Sequence, residues 1–540
     1  MKTYTKNFNM KRTPQNQWSP GTVENNAGGY VFQIDKWSQL DRFLILGSEG
    51  GTYYVNDKTL TIENAKNVLA CIKADGIRVV NKIIEVSVEG RAPSNDPALF
   101  ALALVTAYGD GPAKTYAFQS LSKIARIGTH LFHFAQFRKL VAGWGSGMKR
   151  AVGRWYQEKD IDDLGYQLIK YRQRDGWTHK DLIRLAHPQP LDEKQNALFA
   201  WIAKDIESPA LPRIVDGFLH AQAANDIKTV VKLINEYGLP REAIPTQYLN
   251  SSEVWEALLY SGKYGMPIGA LVRNLNKMTA VGLLQPIGEA TNYVTEKLLN
   301  DTAVLHSKIH PLQVITALYA YQTGGQQRKA TWGPRGGIKS KFTWKPVQHI
   351  VDALEDTFNI SFGSVEPTGK RTLLALDISA SMDWSFINNT CITACEASAA
   401  MAMVTARVEA PGSYMFGGFS RNFLPLNISP KQSMGEVLKT IKNLPHGGTD
   451  CALPMIKALK NKWEVDTFVV FTDSETWAGT VKPHQALKEY RNKMGTPAKL
   501  IVVGMTASKF SIADPNDKGM LDVVGFSTAT PNVISDFSKN

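Results

Sequence analysis

VEPTGKRTLLALDISAS, Val365 to Ser381, sets Pro367 and Gly369 ahead of a short continuous apolar run that stops at a carboxylate, Asp377. Such a run between turn-forming residues reads as a strand buried on both faces. Similar runs recur at 372–376, 413–419, 467–471 and 500–503, alternating with helical patterns near 388–407, 433–443, 451–461 and 483–493. Strand–helix alternation of this kind predicts a doubly wound, parallel α/β domain over 366–540. Ligands of such sheets bind beyond the carboxyl ends of the strands.

The opening strand ends in D-x-S-x-S, which presents Asp377, Ser379 and Ser381 from one tight loop. Gly447-Gly448-Thr449-Asp450 precedes a helix, and Phe471-Thr472-Asp473 closes another strand. A carboxylate at each of two strand ends with hydroxyls between them forms a hard-oxygen set, suited to Mg²⁺ or Mn²⁺. No His or Cys joins it, so zinc is disfavoured. The competing reading is a surface loop whose Ser and Asp cap neighbouring helices. Taken in order, the three segments resemble the von Willebrand A domain with its metal-ion-dependent adhesion site. Asp377, Ser379, Ser381, Thr449 and Asp473 match that family's five positions, which implies a carboxylate-bearing protein ligand. No nucleophile, base and orienting group stand together, so binding is expected here rather than catalysis.

Working outward, residues 1–27 are polar and 28–365 are mainly helical. Thr61–Lys73 reads as an amphipathic helix capped by Thr61, with Ile62, Ala65, Val68, Leu69 and Ile72 on one face. Pro97–Tyr108 is apolar nearly all round and must be buried. A dozen further helical stretches follow, from 114–125 to 311–322, joined by short connectors. That succession predicts stacked helix pairs in an α-solenoid; no fixed repeat is visible, and an irregular α-bundle stays open.

Charge divides the chain. From Glu366 onward there are 18 Lys+Arg against 16 Asp+Glu, whereas the first 365 residues carry 43 against 33. A polyanion partner is therefore expected on the helical part. Gly111 to Gln157 contains no acid but includes Lys123, Arg126, Arg138, Lys139, Lys149 and Arg150, interleaved with Phe132, Phe134, Phe137, Trp144 and Trp155. A second acid-free stretch, 302–351, carries Lys308, Arg328, Lys329, Arg335, Lys339, Lys341 and Lys345 beside Trp332, Phe342 and Trp344. Cations with aromatics fit phosphate contacts plus base stacking. In KYRQRDGWTHKDLIRLAH (Lys170–His187), Lys170 and Arg174 are placed at the end of one helix, and Arg172 is a further RNA-binding candidate. Thr178 and Asp181 form a capping box for the next. Lys180, Arg184 and His187 then share one face of it, with Leu182, Leu185 and Ala186 on the other. A merely solvated face, and a helix-capping role for His187, are the bland alternatives.

Cys71, Cys391, Cys395 and Cys451 are too scattered for a disulfide framework and read as small buried hydrophobes. The basic N-terminus lacks an apolar h-region and no run is long enough to span a bilayer, so a cytoplasmic, membrane-free monomer is expected.

The strings GGYVFQ (28–33), RFLILGSEGGTYY (42–54), KYRQRDGW (170–177), NLNKMTA (274–280), VEPTGKR (365–371), GGTDCALPMI (447–456), YRNKMGTPAKLIV (490–502) and IADPNDKGMLDVVGF (512–526) resemble the Ro autoantigen family, in order along nearly the whole chain. Residues 188–245 match least well. The resemblance implies a ring of HEAT-like helical repeats, the TROVE module, closed by the von Willebrand A domain. It also implies Y RNA on the outer surface, single-stranded ends of misfolded noncoding RNAs in the hole, and an exoribonuclease tethered through RNA. Lys170, Arg174 and His187 look like the family's Y RNA-contacting positions.

Overall fold

In a computed structural model, the structure describes residues 12–47, 60–62, 65–262, 265–325, 342–387, 392–445 and 447–540. Six strands build the large sheet: β1 (Thr372–Asp377), β2 (Tyr414–Phe419), β3 (Phe423–Leu426), β4 (Thr467–Thr472), β5 (Lys499–Gly504) and β6 (Met520–Val524). Their order is β6-β5-β4-β1-β2-β3, and every neighbouring pair is parallel except β2–β3. All six residues of β1 and of β4 are buried, as strands covered on both faces require. The chain leaves β1 towards β2 on one side and later returns to β4 on the other. The strand order thus reverses between β1 and β4, and a crevice opens there beyond their carboxyl ends.

The edge strands β3 and β6 were not expected. β3 holds Pro425, which only an edge strand tolerates. β6 carries Asp522, whose carboxylate is taken by buried Arg42 at 2.7 and 2.8 Å. Arg42 sits on the helix Lys36–Leu46, which Asp35 caps. Contacts divide the chain into two compact units, and residues up to Ala65 belong with Phe362–Asn540. Tyr30–Gln33 pairs antiparallel with Val23–Glu24 and with Phe510–Ser511, so the polar N-terminal segment is part of the sheet-bearing unit.

The other unit, Lys66–Ser361, is helical. The helix expected over Thr61–Lys73 runs on to Glu89; it is described from Lys66, and residues 63 and 64, against which a Thr61 cap would be judged, lie outside the described residues. The buried face of Ala65, Val68 and Ile72 simply continues through Val79, Val80, Ile83 and Val86, across a kink at Asp75. Asp96–Tyr108 forms as read, buried at every residue from Pro97 to Thr106. Within this unit the last helices return to the first. Lys308 Nζ donates to Val88 O at 2.8 Å, His310 Nε2 meets Arg91 O at 3.2 Å and Gln313 Nε2 donates to Pro93 O at 3.2 Å. The start and the end of the helical unit are thus joined by side-chain bonds to backbone.

Cys71, Cys395 and Cys451 are free and buried; Cys391 lies outside the described residues, as do Arg328, Lys329, Trp332, Arg335, Lys339 and Lys341. Among the described residues, no helix is long and apolar enough to cross a membrane.

Candidate functional site

The β1–β4 crevice gathers the acidic loops. Asp377 is fully buried: Oδ1 accepts the Ser379 N–H at 2.9 Å and Oδ2 accepts the Thr472 hydroxyl at 2.7 Å. Ser379 Oγ and Ser381 Oγ are 3.1 Å apart. Asp473, 1 % exposed, accepts the Glu475 N–H on Oδ1 at 3.0 Å. Its Oδ2 has no hydrogen-bond partner among the described residues. Burial and the nearby Asp473 charge push the Asp377 carboxyl up to about 7. Burial likewise raises Asp473, against the pull of the Glu475 N–H and the Ser381 hydroxyl. Two buried carboxylates that raise one another's charge cost in this way are unfavourable unless a cation compensates them. The oxygens of Asp377, Ser379, Ser381 and Asp473 therefore fit a hard divalent ion.

Thr449, 3 % exposed, holds its loop against the next through its carbonyl, which accepts Trp477 N–H and Ala478 N–H, each at 3.0 Å. A Cβ on Gly448 would come within 2.8 Å of the Trp477 ring, so a larger residue there would have to displace that ring. Thr472, whose hydroxyl orients Asp377, was not singled out in the sequence; one Thr at a strand end carries no signal by itself.

The cationic cluster sits differently from its reading. The helix Ile161–Lys170 ends at Lys170, and Gln173–Arg174 pairs with Trp177–Thr178 in a hairpin. Arg174 is thus on a strand. Asp175 and Gly176 both take positive φ, 53° and 77°, the geometry of a two-residue Asp-Gly hairpin turn. That dipeptide was the available signal. The capping box of Thr178 and Asp181 forms as expected and opens the helix His179–Ala186. Its packed face is Leu182 and Ile183; Leu185, expected there, is 37 % exposed, because the helix turns His179 inward and rotates the stripe by one position.

Arg172, Arg174, Arg184 and His187 are exposed. Arg172 lies over the Phe218 ring at 5.0 Å and Arg184 donates to Ala203 O at 2.8 Å. Lys170 is half-buried against Tyr166, whose hydroxyl accepts its Nζ at 2.9 Å, and Lys180 is paired with Asp205 at 2.7 Å. His187 takes φ 49° and caps the helix end, so the capping role and an exposed imidazole coexist.

Lys123, Lys139, Lys149 and Arg150 are exposed, with Lys139 5.6 Å from the Trp177 ring centroid. Arg126 Nη1 donates to Ser87 O at 2.8 Å. Arg138 turns inward, 8 % exposed, away from any surface ligand. Phe132, Phe134 and Trp155 are fully buried, Phe132 and Trp155 against His179, so they are core rather than base-stacking platforms. The sequence reading mistook core aromatics for a binding stripe because acid-free helices need a core as well. His179 itself went unread: its Nδ1 is 2.7 Å from the Tyr156 hydroxyl.

A Ro60 von Willebrand A domain model matches residues 371–538, and a TROVE domain model matches 23–210 and 236–370. The chain belongs to the Ro family. Within that family it is 38 % identical over 547 residues to an RNA-binding protein RO60 of Deinococcus radiodurans, covering 100 % of this chain and 99 % of the relative. To an RNA-binding protein RO60 of Caenorhabditis elegans it is 32 % identical over 610 residues, covering 98 % and 92 %. The crystal structure of the Deinococcus radiodurans Ro protein superposes with a TM-score of 0.70, covering 94 % of this chain and 99 % of that one. The stretch the TROVE model skips, 211–235, falls inside the weakly matching 188–245; it nevertheless folds into helices at Arg213–Ala223 and Ile227–Tyr237.

Proposed function

We propose that this Ro-family chain is a non-catalytic RNA-binding scaffold of a cytoplasmic ribonucleoprotein. The carrying observation is the exposed group of Arg172, Arg174, Arg184 and His187, set on and beside the Gln173–Thr178 hairpin and the capped helix that follows it. Basic side chains on ordered backbone meet phosphates at a lower entropic cost than those on a disordered segment. The names of the relatives, RNA-binding protein RO60, point the same way. On this reading a Y RNA lies along that surface, joined by Lys123, Lys139, Lys149 and Arg150. Single-stranded ends of misfolded noncoding RNAs enter the helical module for quality control, and an exoribonuclease is recruited through the RNA. Crosslinking the protein to RNA in its native cell and sequencing the bound molecules tests this: a discrete set of structured noncoding RNAs is expected, and a profile matching total RNA would refute it.

A second reading, compatible with the first, makes the crevice at Asp377 and Asp473 a Mg²⁺ or Mn²⁺ site that docks a carboxylate-bearing protein. The buried Asp473 Oδ2, without a hydrogen-bond partner among the described residues, favours it. Capture of a protein partner that is lost both on chelation and in Asp377→Ala supports this docking; capture that survives both sinks it.

A further inference from the structure

The N-terminal segment reaches the crevice with its side chains. Gln15 is completely buried. Its Nε2 donates to Asp450 Oδ1 at 2.6 Å and to Val481 O at 2.9 Å, while its Oε1 meets the Thr476 hydroxyl. The same hydroxyl accepts the Cys451 N–H at 3.0 Å. One side chain therefore joins the residue after Thr449 to the loop that follows Asp473. Asn25, 5 % exposed, donates from Nδ2 to Thr476 O at 3.0 Å and to Ser474 O at 3.3 Å. Asn26 takes both carboxylate oxygens of Glu475, through its N–H at 2.9 Å and Nδ2 at 2.6 Å.

The fit is close. A Cβ on Gly29 would fall 1.8 Å from Thr476 O, so only glycine lets the segment lie against that loop. A Cβ on Gly479 would fall 2.3 Å from Gln15 Nε2. Backbone bonds fix the register: Gln15 N–H to Gly479 O at 2.9 Å and Tyr30 N–H to Gln15 O at 2.8 Å. Lys482 Nζ, itself buried, donates to Tyr30 O at 2.9 Å. Val31 joins the hydrophobic cluster of Leu373, Val470 and Val502 under the crevice.

We infer that Gln15 and Asn25 are positioning residues of the cation site: Gln15 ties the Thr449 loop to the Asp473 loop, and Asn25 fixes the Asp473 loop to the N-terminal segment. The inference rests on the cation reading of the crevice. Neither side chain is placed as a ligand; each holds residues next to the ligands, Asp450 beside Thr449 and Ser474 beside Asp473, as outer partners of metal sites do. Strand pairing, the Val31 contact and the Arg12–Glu489 ion pair at 2.7 Å anchor the segment elsewhere, so losing one clasp residue leaves it attached.

The test is Mn²⁺ binding to the full-length protein, read by electron paramagnetic resonance of free Mn²⁺. Gln15→Met keeps the volume and removes the amide; Asn25→Ala removes the second clasp, and Arg12→Ala cuts an anchor remote from the crevice. Loss of about tenfold in Mn²⁺ affinity is expected for Gln15→Met and for Asn25→Ala, with Arg12→Ala unchanged. Near-ultraviolet circular dichroism checks that each variant keeps its tertiary packing; if Gln15→Met does not, Asn25→Ala alone decides. Wild-type affinity in the clasp variants, beside loss in Asp377→Ala, would overturn the clasp while leaving the cation reading intact. No Mn²⁺ binding by the wild type would overturn both.

Discussion

Asp377 Oδ2 accepts the Thr472 hydroxyl at 2.7 Å, tying the end of β1 to the residue immediately before Asp473 on β4. The bond fixes one buried carboxylate to the residue that precedes the other, at the point where strand order reverses. Burial and the Asp473 charge lift the Asp377 carboxyl to about 7, so above that pH the metal-free protein carries an unfavourable pair. Asp377→Asn should therefore raise the melting temperature of the metal-free protein at pH 8 by about 2 °C or more, while removing the stabilisation that Mg²⁺ gives the wild type. Calorimetry with and without Mg²⁺ measures both. A variant less stable than wild type without metal would contradict the repulsion argument.

Thr472 has a subtler part. Thr472→Val keeps the buried shape and leaves Asp377 Oδ2 without its donor. Divalent-ion affinity should fall about tenfold, with the sheet intact by circular dichroism. Isothermal titration with Mn²⁺ decides.

Among the cations, exposure separates two outcomes. Arg174→Ala should weaken RNA binding and lower the salt slope by about 1 for one lost phosphate contact. Arg138→Met, at a position 8 % exposed, should change RNA affinity less than about twofold and leave the salt slope as it is. Fluorescence anisotropy over a salt series compares them.

Acid should loosen the helical unit. Burial pushes His179 down to about 3; burial, helped by the Arg126 charge, pushes His130 to about 4. Unfolded, both take up protons near pH 6.5, so the unfolded state gains on the native one as pH falls from 6.5 towards those values. At pH 5 the loss is about 2 kcal/mol for each histidine. Hydrogen-exchange protection of 150–186 should drop accordingly between pH 6.5 and 5, and about half as much in His179→Asn.

Much of this was legible because the pattern is local. Four buried strands, the D-x-S-x-S loop and Thr449 announce themselves through apolar runs and turn residues. Pro425 and Asp522 hid the edge strands, whose pairing depends on neighbours far along the chain. Gln15 and Asn25 gave no sign at all: a polar N-terminal residue looks like a solvated one until its distant partners, Thr476 and Asp450, are in place. The cationic surface was legible as charge but not as exposure, which is why Arg138 and Trp155 were grouped with residues they do not accompany.

The central claim is that RNA is held by the exposed cations around the Asp175–Gly176 hairpin. Its most direct test is the affinity of the full chain for an RNA hairpin with a single-stranded 3′ tail, measured from 50 to 200 mM salt. The wild type should lose about a hundredfold in affinity over that range. The triple variant Arg172→Ala, Arg174→Ala, His187→Ser should bind more weakly with a slope shallower by about 2. Binding that ignores salt, or a variant whose curve overlays the wild type, would contradict the account.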